Sequence, residues 1–318
     1  MARKTETDSD RLDDAARAGW LYYIAGNTQD EIARKLGVSR QSAQRLVSLS
    51  VSERLIKVRL DHPIGNCLEL SRQLKERFAL LHVEVVPADP ESSSDTLGIA
   101  QAGAAVLERY FESQHPVVAA MGTGRTLRAM AEQVSPMDCP QHKVVSLVGN
   151  IAPDGSATVF DVASRIGDRV RAPHYPMPLP VIATTVHEKS LLLAQKSLRN
   201  VLDLAGQADV TFVGIGTIDD EAALLRDGFV KSDEIRALVR AGAAGEITGW
   251  AFDQNGELID GLTNDRVLSV PLQRPAERLV IGVVMAPQRL RAVRGALRGQ
   301  LISGLITNEK MAGYLLES

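Results

Sequence analysis

Aromatic residues make up only 4% of this 318-residue chain, and it has just two cysteines, Cys67 and Cys139. Two thiols are too few for a disulfide framework or a cysteine metal cluster. The six histidines, at 62, 82, 115, 142, 174 and 187, show no ligand spacing such as HExxH, so no metal site and no cofactor are expected. No apolar stretch nears the ~18 residues of a membrane-crossing helix; the longest are runs such as Leu279–Ala286. The first residues are charged and have no apolar segment behind them, so no signal peptide is expected. These absences describe a reduced, soluble, cytoplasmic protein with no membrane partner. What is abundant is aliphatic: 45% of residues are hydrophobic, mostly Ala, Leu and Val, enough for a sizeable core. The length implies one large domain or two unequal ones.

A net charge of −3 conceals an asymmetry. Residues 1–60 carry +3, concentrated as +5 within 31–60, whereas residues 61–318 carry −6. A short basic block beside an acidic body points to an anionic partner for the block alone. Leu12, Ala15, Ala16, Trp20, Tyr23 and Ile24 recur at helical spacing. Gly26-Asn27 ends that helix, and Thr28 with Glu31 forms a capping-box pattern for a second helix over 29–36. Gly37 suits the left-handed end of that helix, and Ser39 caps a third running to about Ser50. Ala33, Val38, Ala43 and Leu46 are available to pack the pair. Ser39, Arg40, Gln41, Gln44, Arg45 and Ser48 lie away from this packing, and arginines and amides are the side chains that read base edges in a major groove. Leu55–Asp61 alternates like a strand, a wing that sets Lys57 and Arg59 on phosphates. The alternative from residues alone is a solvated helical hairpin; the caps, the glycine turn, the polar face and the local charge together favour double-stranded DNA.

Past Pro63, Leu68, Leu70, Leu74, Phe78 and Leu81 suggest a connecting helix over 65–79. Strands and helices then alternate: strands over 83–86, 117–120, 144–148, 210–213, 247–252, 279–284 and 304–306; helices over 96–111, 125–134, 161–170, 189–204, 232–241, 288–301 and 309–316. The proline-rich stretch 173–180 reads as irregular. Near-continuous apolar strands between helices argue an α/β fold with a mainly parallel sheet. The expected domains are 1–61, a winged helix-turn-helix; 62–80, a connecting helix; and 81–318, a large α/β domain.

In such sheets ligands bind beyond the carboxyl ends of the strands. Gly122-Thr123-Gly124-Arg125-Thr126 falls between a strand and a helix, where glycine backbone and a helix N-terminus favour an anion. It is neither a dinucleotide nor a Walker loop; a bare βα turn is the alternative. Gly214-Ile215-Gly216 is a similar turn, equally ambiguous by itself. Glu246 at a strand entrance is either a hydroxyl acceptor or a surface carboxylate. No nucleophile elbow is present, and Lys189, Lys196 and the face formed by Arg291, Arg294 and Arg298 read as solvated.

The combination resembles the SorC family of sugar-binding transcriptional regulators. The likeness rests on Trp20-Leu-Tyr-Tyr-Ile before Thr28-Gln-Asp-Glu-Ile-Ala-Arg-Lys-Leu-Gly-Val-Ser-Arg, on Met121-Gly-Thr-Gly-Arg-Thr-Leu, Leu147-Val-Gly-Asn and Val213-Gly-Ile-Gly-Thr, and on the ending Leu305-Ile-Thr-Asn-Glu-Lys-Met-Ala. It implies a winged helix-turn-helix joined to an effector domain similar to sugar-phosphate isomerases and deaminases. The bacterial regulator so implied is a homotetramer or homodimer, on the nucleoid when bound to operator DNA, and answers to a sugar, sugar alcohol or sugar phosphate. Carried over by position, Gly122, Thr123, Gly124, Arg125 and Thr126 cradle the effector. Asn150 and Asp161 face it, Glu246 binds hydroxyls, and Arg289 stands where many relatives have lysine, which removes Schiff-base chemistry there. Gly214 and Gly216 complete the expected effector set. Hydroxyl-compatible groups outnumber cations in it, which favours a neutral polyol. The competing expectation is an isomerase- or deaminase-type enzyme with an accessory DNA-binding-like domain; it lacks an identifiable catalytic pair.

Overall fold

A computed structural model describes residues 8–53, 55–56, 64–88, 96–152, 154–158, 161–273 and 278–317. The chain divides into two compact units, residues 1–62 and 63–318. In the first, α1 (Asp8–Tyr23), α2 (Gln29–Leu36) and α3 (Arg40–Ser52) bury Ala18, Ile32, Ala33, Ala43 and Val47 between them. The capping box forms as the spacing predicts: Glu31 Oε2 accepts from the Thr28 backbone N–H at 2.8 Å, and Thr28 Oγ1 accepts from Glu31 N–H at 3.4 Å. Gly37 ends α2 at φ 67°, and Ser39 Oγ accepts from Ser42 N–H at 3.1 Å to start α3. Helix α1 crosses α3 so closely that a Cβ on Gly19 would lie 2.4 Å from Ser50 Oγ. The expected wing strand, with Lys57 and Arg59, lies almost wholly outside the described residues.

The second unit opens with α4 (Gly65–Phe78), the helix expected as a connector. It packs inside this unit, with Cys67 and Leu74 buried in the main core. The order continues β1 (His82–Val86), α5 (Leu97–Phe111), β2 (Val118–Met121), α6 (Arg125–Gln133), β3 (Lys143–Ile151), α7 (Val162–Val170) and β4 (His174–Pro180). Then come α8 (Val186–Leu193), α9 (Lys196–Ala205), β5 (Val210–Val213), α10 (Ala223–Arg226), α11 (Ser232–Arg240), β6 (Ala243–Ile247) and β7 (Trp250–Asp253). Strand β8 (Leu279–Val283), α12 (Leu290–Arg298), β9 (Gly304–Asn308) and α13 (Glu309–Leu316) close the unit.

Seven strands form one parallel sheet in the order β1-β9-β8-β5-β2-β3-β4. Alternation along each strand sends side chains to opposite faces. Ala119, Met121, Val210 and Phe212 meet the helices α5, α6 and α7, whereas Ala120 and Val213 join the core under α4, α9, α11, α12 and α13. From β2 the chain winds outward through β3 and β4; from β5 it winds the other way through β8 and β9. The order therefore reverses between β2 and β5, and a crevice opens at the carboxyl ends of these two strands.

Three expectations are corrected. Of the prolines of 173–180, Pro176, Pro178 and Pro180 lie within β4, which is an edge strand, where a missing N–H is tolerated. The helix expected over 189–204 is two, α8 and α9, separated at Ala194-Gln195. The single strand expected over 247–252 is a hairpin of β6 and β7, which turns at Thr248-Gly249 with φ 52° and 91°. Positive φ at both turn positions matches the twist of the flanking strands.

Candidate functional site

In the first unit, Ser39, Arg40, Gln41, Gln44, Arg45 and Ser48 are all exposed on α3, opposite buried Ala43, Val47 and Ser50. Arg40 Nε lies 3.5 Å from Asp30 Oδ1, an exposed ion pair that a stronger anion displaces at little cost. This face presents two guanidiniums, two amides and two hydroxyls to solvent.

In the second unit, Gly122 N–H donates to Phe212 O at 2.8 Å, so the loops after β2 and β5 leave the sheet side by side. Between them and the β6–β7 hairpin lies a cavity of about 110 Å³. Thr123, Gly124, Arg125, Thr126, Gly214, Gly216, Glu246 and Arg289 line it, which brings together eight of the expected positions from four distant segments. Gly124, at φ 116°, precedes α6 and provides no side-chain cap, so the helix N-terminus is left to backbone N–H groups. Gly216 and Glu246 exchange two backbone hydrogen bonds, 2.9 and 3.0 Å, which hold the hairpin against the loop after β5. Glu246 Oε2 accepts from Gly249 N–H at 2.8 Å. Arg289 Nη1 donates to Ile215 O at 2.8 Å.

Burial pushes the Glu246 carboxyl above the usual range, opposed by the Gly249 hydrogen bond and the charge of Arg289. Burial also lowers Arg289, and the guanidiniums of Arg125 and Arg226 push the same way, while Glu246 and Asp219 push back. Arg289 nevertheless stays a cation, as arginine does throughout proteins. Three guanidiniums thus share one cavity with two lining carboxylates, Glu246 and Asp227. Arg226 joins the two expected cations, Arg125 and Arg289, while Thr158, Thr248 and Asp227 add hydroxyl-compatible groups. Apart from Thr158 and Thr248, the remaining side chains of the wall are apolar, chiefly Leu127, Val148, Val181, Ile215, Leu224 and Phe229. Such a surface suits a ligand with an anionic group and several hydroxyls.

Three expected positions do not line it. Gly122 sits below, and a Cβ there would come within 3.2 Å of Phe212 O. Asp161 is the N-cap of α7, accepting from Ser164 N–H at 3.2 Å and Ser164 Oγ at 2.8 Å. Asn150 has a buried Oδ1 without a partner among the described residues, and its carbonyl accepts from Thr158 N–H at 2.7 Å, so Thr158 takes its place at the cavity. Sequence reasoning missed Thr158, Arg226, Asp227, Phe229 and Thr248. Helix α10 is a single turn without periodicity, and the only local signal was Gly228, which takes φ 76°. No described helix is long and apolar enough to cross a membrane, and no described His/Cys/Asp/Glu group is arranged to hold a metal.

A family model described as "Putative sugar-binding domain" matches residues 62–317, so the second unit is of the class of effector domains found in carbohydrate-responsive regulators. The chain is 30% identical over 302 residues to the erythritol catabolism regulatory protein EryD of Brucella abortus, which covers 95% of this chain and 96% of that one. It is 31% identical over 310 residues to the transcriptional regulator LsrR of Klebsiella pneumoniae, covering 95% and 92%. The full-length sorbitol operon regulator SorC from Klebsiella pneumoniae has the same fold, with a TM-score of 0.73 over 98% of this chain and 100% of that chain, at 24% identity. This chain belongs to the SorC family of sugar-binding transcriptional regulators.

Proposed function

We propose that the chain regulates a carbohydrate or polyol catabolic operon by binding its operator through α3, and that a short phosphorylated polyol or aldose, bound at the sheet crevice, controls this binding. The observation that carries the effector class is the meeting of Arg125, Arg226 and Arg289 with Glu246 in one small cavity beside the N-terminus of α6. Cations and helix N–H groups favour a phosphate, and the carboxylate favours hydroxyls. The volume suits a short chain rather than an oligosaccharide. The likeness to EryD, a regulator of erythritol catabolism, makes four-carbon ligands the first to try. On the DNA side, Arg40, Gln41, Gln44 and Arg45 read bases, Ser39 and Ser48 contact the backbone, and Lys57 and Arg59 hold phosphates. The working form is a homotetramer or homodimer, since a two-fold protein matches a two-fold operator. The protein is soluble in the bacterial cytoplasm and sits on the nucleoid while bound. It regulates without turning its ligand over.

The test is a thermal-shift panel on the full chain with erythritol, erythritol 4-phosphate, ribose 5-phosphate, 2-deoxyribose 5-phosphate and glucose 6-phosphate. It is paired with titration of labelled upstream DNA. A ligand at 100 times its Kd adds about 2.7 kcal/mol of stability, a shift easily seen. Phosphorylated members should stabilise the protein and change its DNA affinity. A flat panel rejects the effector reading, salt-independent or absent DNA binding rejects the regulator reading, and consumption of any panel member returns the enzyme reading.

A further inference from the structure

Thr248 stands out in the β6–β7 turn for two independent reasons. It is a β-branched residue held at φ 52°, in the left-handed region that such residues rarely adopt. The first position of a two-residue hairpin turn with positive φ ordinarily falls to Asn, Asp or Gly. Its side chain is also buried, with the residue only 8% exposed, and Oγ1 has no hydrogen-bond partner among the described residues. A desolvated hydroxyl loses its bonds to water without replacement; Thr263, Ser269 and Thr307 share this trait, but of the four Thr248 alone also has a positive φ and lines the cavity.

The surroundings hold the turn in this conformation. The Glu246 carboxylate closes it by accepting from Gly249 N–H. Asn264 clamps β7, accepting from Ala251 N–H and donating to Ala251 O, both at 2.8 Å. Trp250 Nε1 donates to Val270 O at 3.1 Å. Beneath, a Cβ on Gly249 would touch Val181 Cγ1 at 3.3 Å, so the turn has no room to slide. Strain retained against such constraints marks a position whose side chain serves something other than folding. Thr248 lines the same cavity as Glu246, two residues away.

We infer that the Thr248 hydroxyl binds an effector hydroxyl beside the one taken by Glu246, and so selects ligands with two neighbouring hydroxyls at this end of the cavity. The inference rests on the cavity being the effector site. Glu246, an acceptor while ionised, accepts a hydrogen bond from one hydroxyl. Thr248 Oγ1, both donor and acceptor, takes the adjacent hydroxyl in either direction. A ligand without that second hydroxyl leaves Oγ1 buried and unpaired, which is how a hydrogen-bonding site rejects a deoxy analogue.

The experiment compares wild type, Thr248→Val and Thr248→Ser on the full chain, using ribose 5-phosphate, 2-deoxyribose 5-phosphate and erythritol 4-phosphate as probes. Valine keeps the shape and strain but lacks the hydroxyl; serine restores it. Without ligand, Thr248→Val should melt about 2–4 °C higher, because an unpaired buried hydroxyl has been removed. It should bind the best vicinal-diol probe about two- to tenfold more weakly than wild type. Thr248→Ser should recover that affinity, and discrimination between a probe and its deoxy counterpart should shrink in the valine variant. Equal affinity and equal deoxy discrimination in wild type and Thr248→Val would overturn the inference while leaving the effector site in place. A wild type stabilised by no probe at all would overturn the effector reading, and the role of Thr248 with it.

Discussion

Gly216→Ala is the substitution whose effect the geometry specifies most fully. A Cβ at Gly216 would stand 2.0 Å from Glu246 Oε1, 2.8 Å from its Cδ and 3.1 Å from its Cγ. The carboxylate must retreat by about 1.5 Å to reach an ordinary contact near ~3.5 Å. The backbone cannot yield instead, because Gly216 and Glu246 are joined by two main-chain hydrogen bonds. Gly216 is not at positive φ, so alanine strains nothing else there. Glu246 therefore turns away and loses its 2.8 Å bond from Gly249 N–H along with its place in the cavity. A hydrogen bond to a charged group is worth about 1.5–3 kcal/mol, so effector affinity should fall on the order of 10- to 100-fold. DNA affinity without effector should be retained. Isothermal titration of wild type, Gly216→Ala, Glu246→Ala and the double variant forms a cycle. The double variant should bind no worse than Glu246→Ala alone, because once the carboxylate is gone the new methyl meets nothing. Additive losses, or wild-type affinity in Gly216→Ala, would refute the reasoning.

Burial raises the folded-state value of Glu246 above the ordinary glutamate value. The folded protein thus holds this proton more tightly than the unfolded chain, and the associated stability is lost as pH rises through the raised value. Glu246→Gln should accordingly melt higher than wild type at neutral pH, with the gap closing towards acid pH; calorimetry from pH 5 to 8 that found a constant gap would contradict this. Cys67 is buried, and burial followed by the charge and hydrogen bond of Glu309 pushes its thiol up to about 11, while burial raises Cys139. Both should resist a thiol reagent at pH 8 in the native protein and react promptly in urea. Prompt native labelling of Cys67 would mean that the α4–α13 contact opens readily, and of Cys139 that the core beside Phe111 does. On α3, Arg45→Ala should relax the preference at one operator position by about 1–3 kcal/mol, whereas Lys57→Ala should weaken all DNA alike and lower the salt slope. Selection from a randomised operator distinguishes the two.

The first unit was legible because its signals are local. Thr28 and Glu31 are three residues apart, Gly37 sits where a helix must end left-handed, and the exposed face of α3 follows from a 3.6-residue period. The parallel sheet was legible for a related reason, since strands buried on both faces become apolar runs such as Val210–Val213. Errors arose where a local pattern had two readings. The prolines of β4 count against a strand unless the strand is at an edge, and edge position is a property of the whole sheet. Ala194-Gln195 contains neither glycine nor proline, so nothing in composition announced the break between α8 and α9.

The site was legible only as separate loops. Gly124, Gly216 and Glu246 each stood out through residue type at a strand end or a helix start, and Arg289 only through the family resemblance, but their meeting depends on the reversal of strand order between β2 and β5, which pairing decides and spacing does not. Glu246 illustrates the limit. Read as the entrance to one long strand, it had no reason to face the loop after β5. In a hairpin it pairs with Gly216, and the absent side chain of that glycine is what leaves room for the carboxylate. The same misreading hid Thr248, since a threonine in the middle of a strand is ordinary, whereas a threonine at φ 52° in a two-residue turn is not. Arg226 was hidden differently, on a helix of four residues whose position owes more to the turn at Gly228 and the burial of Leu224 than to any helical pattern. The third guanidinium of the cavity was therefore the one with the weakest sequence signal.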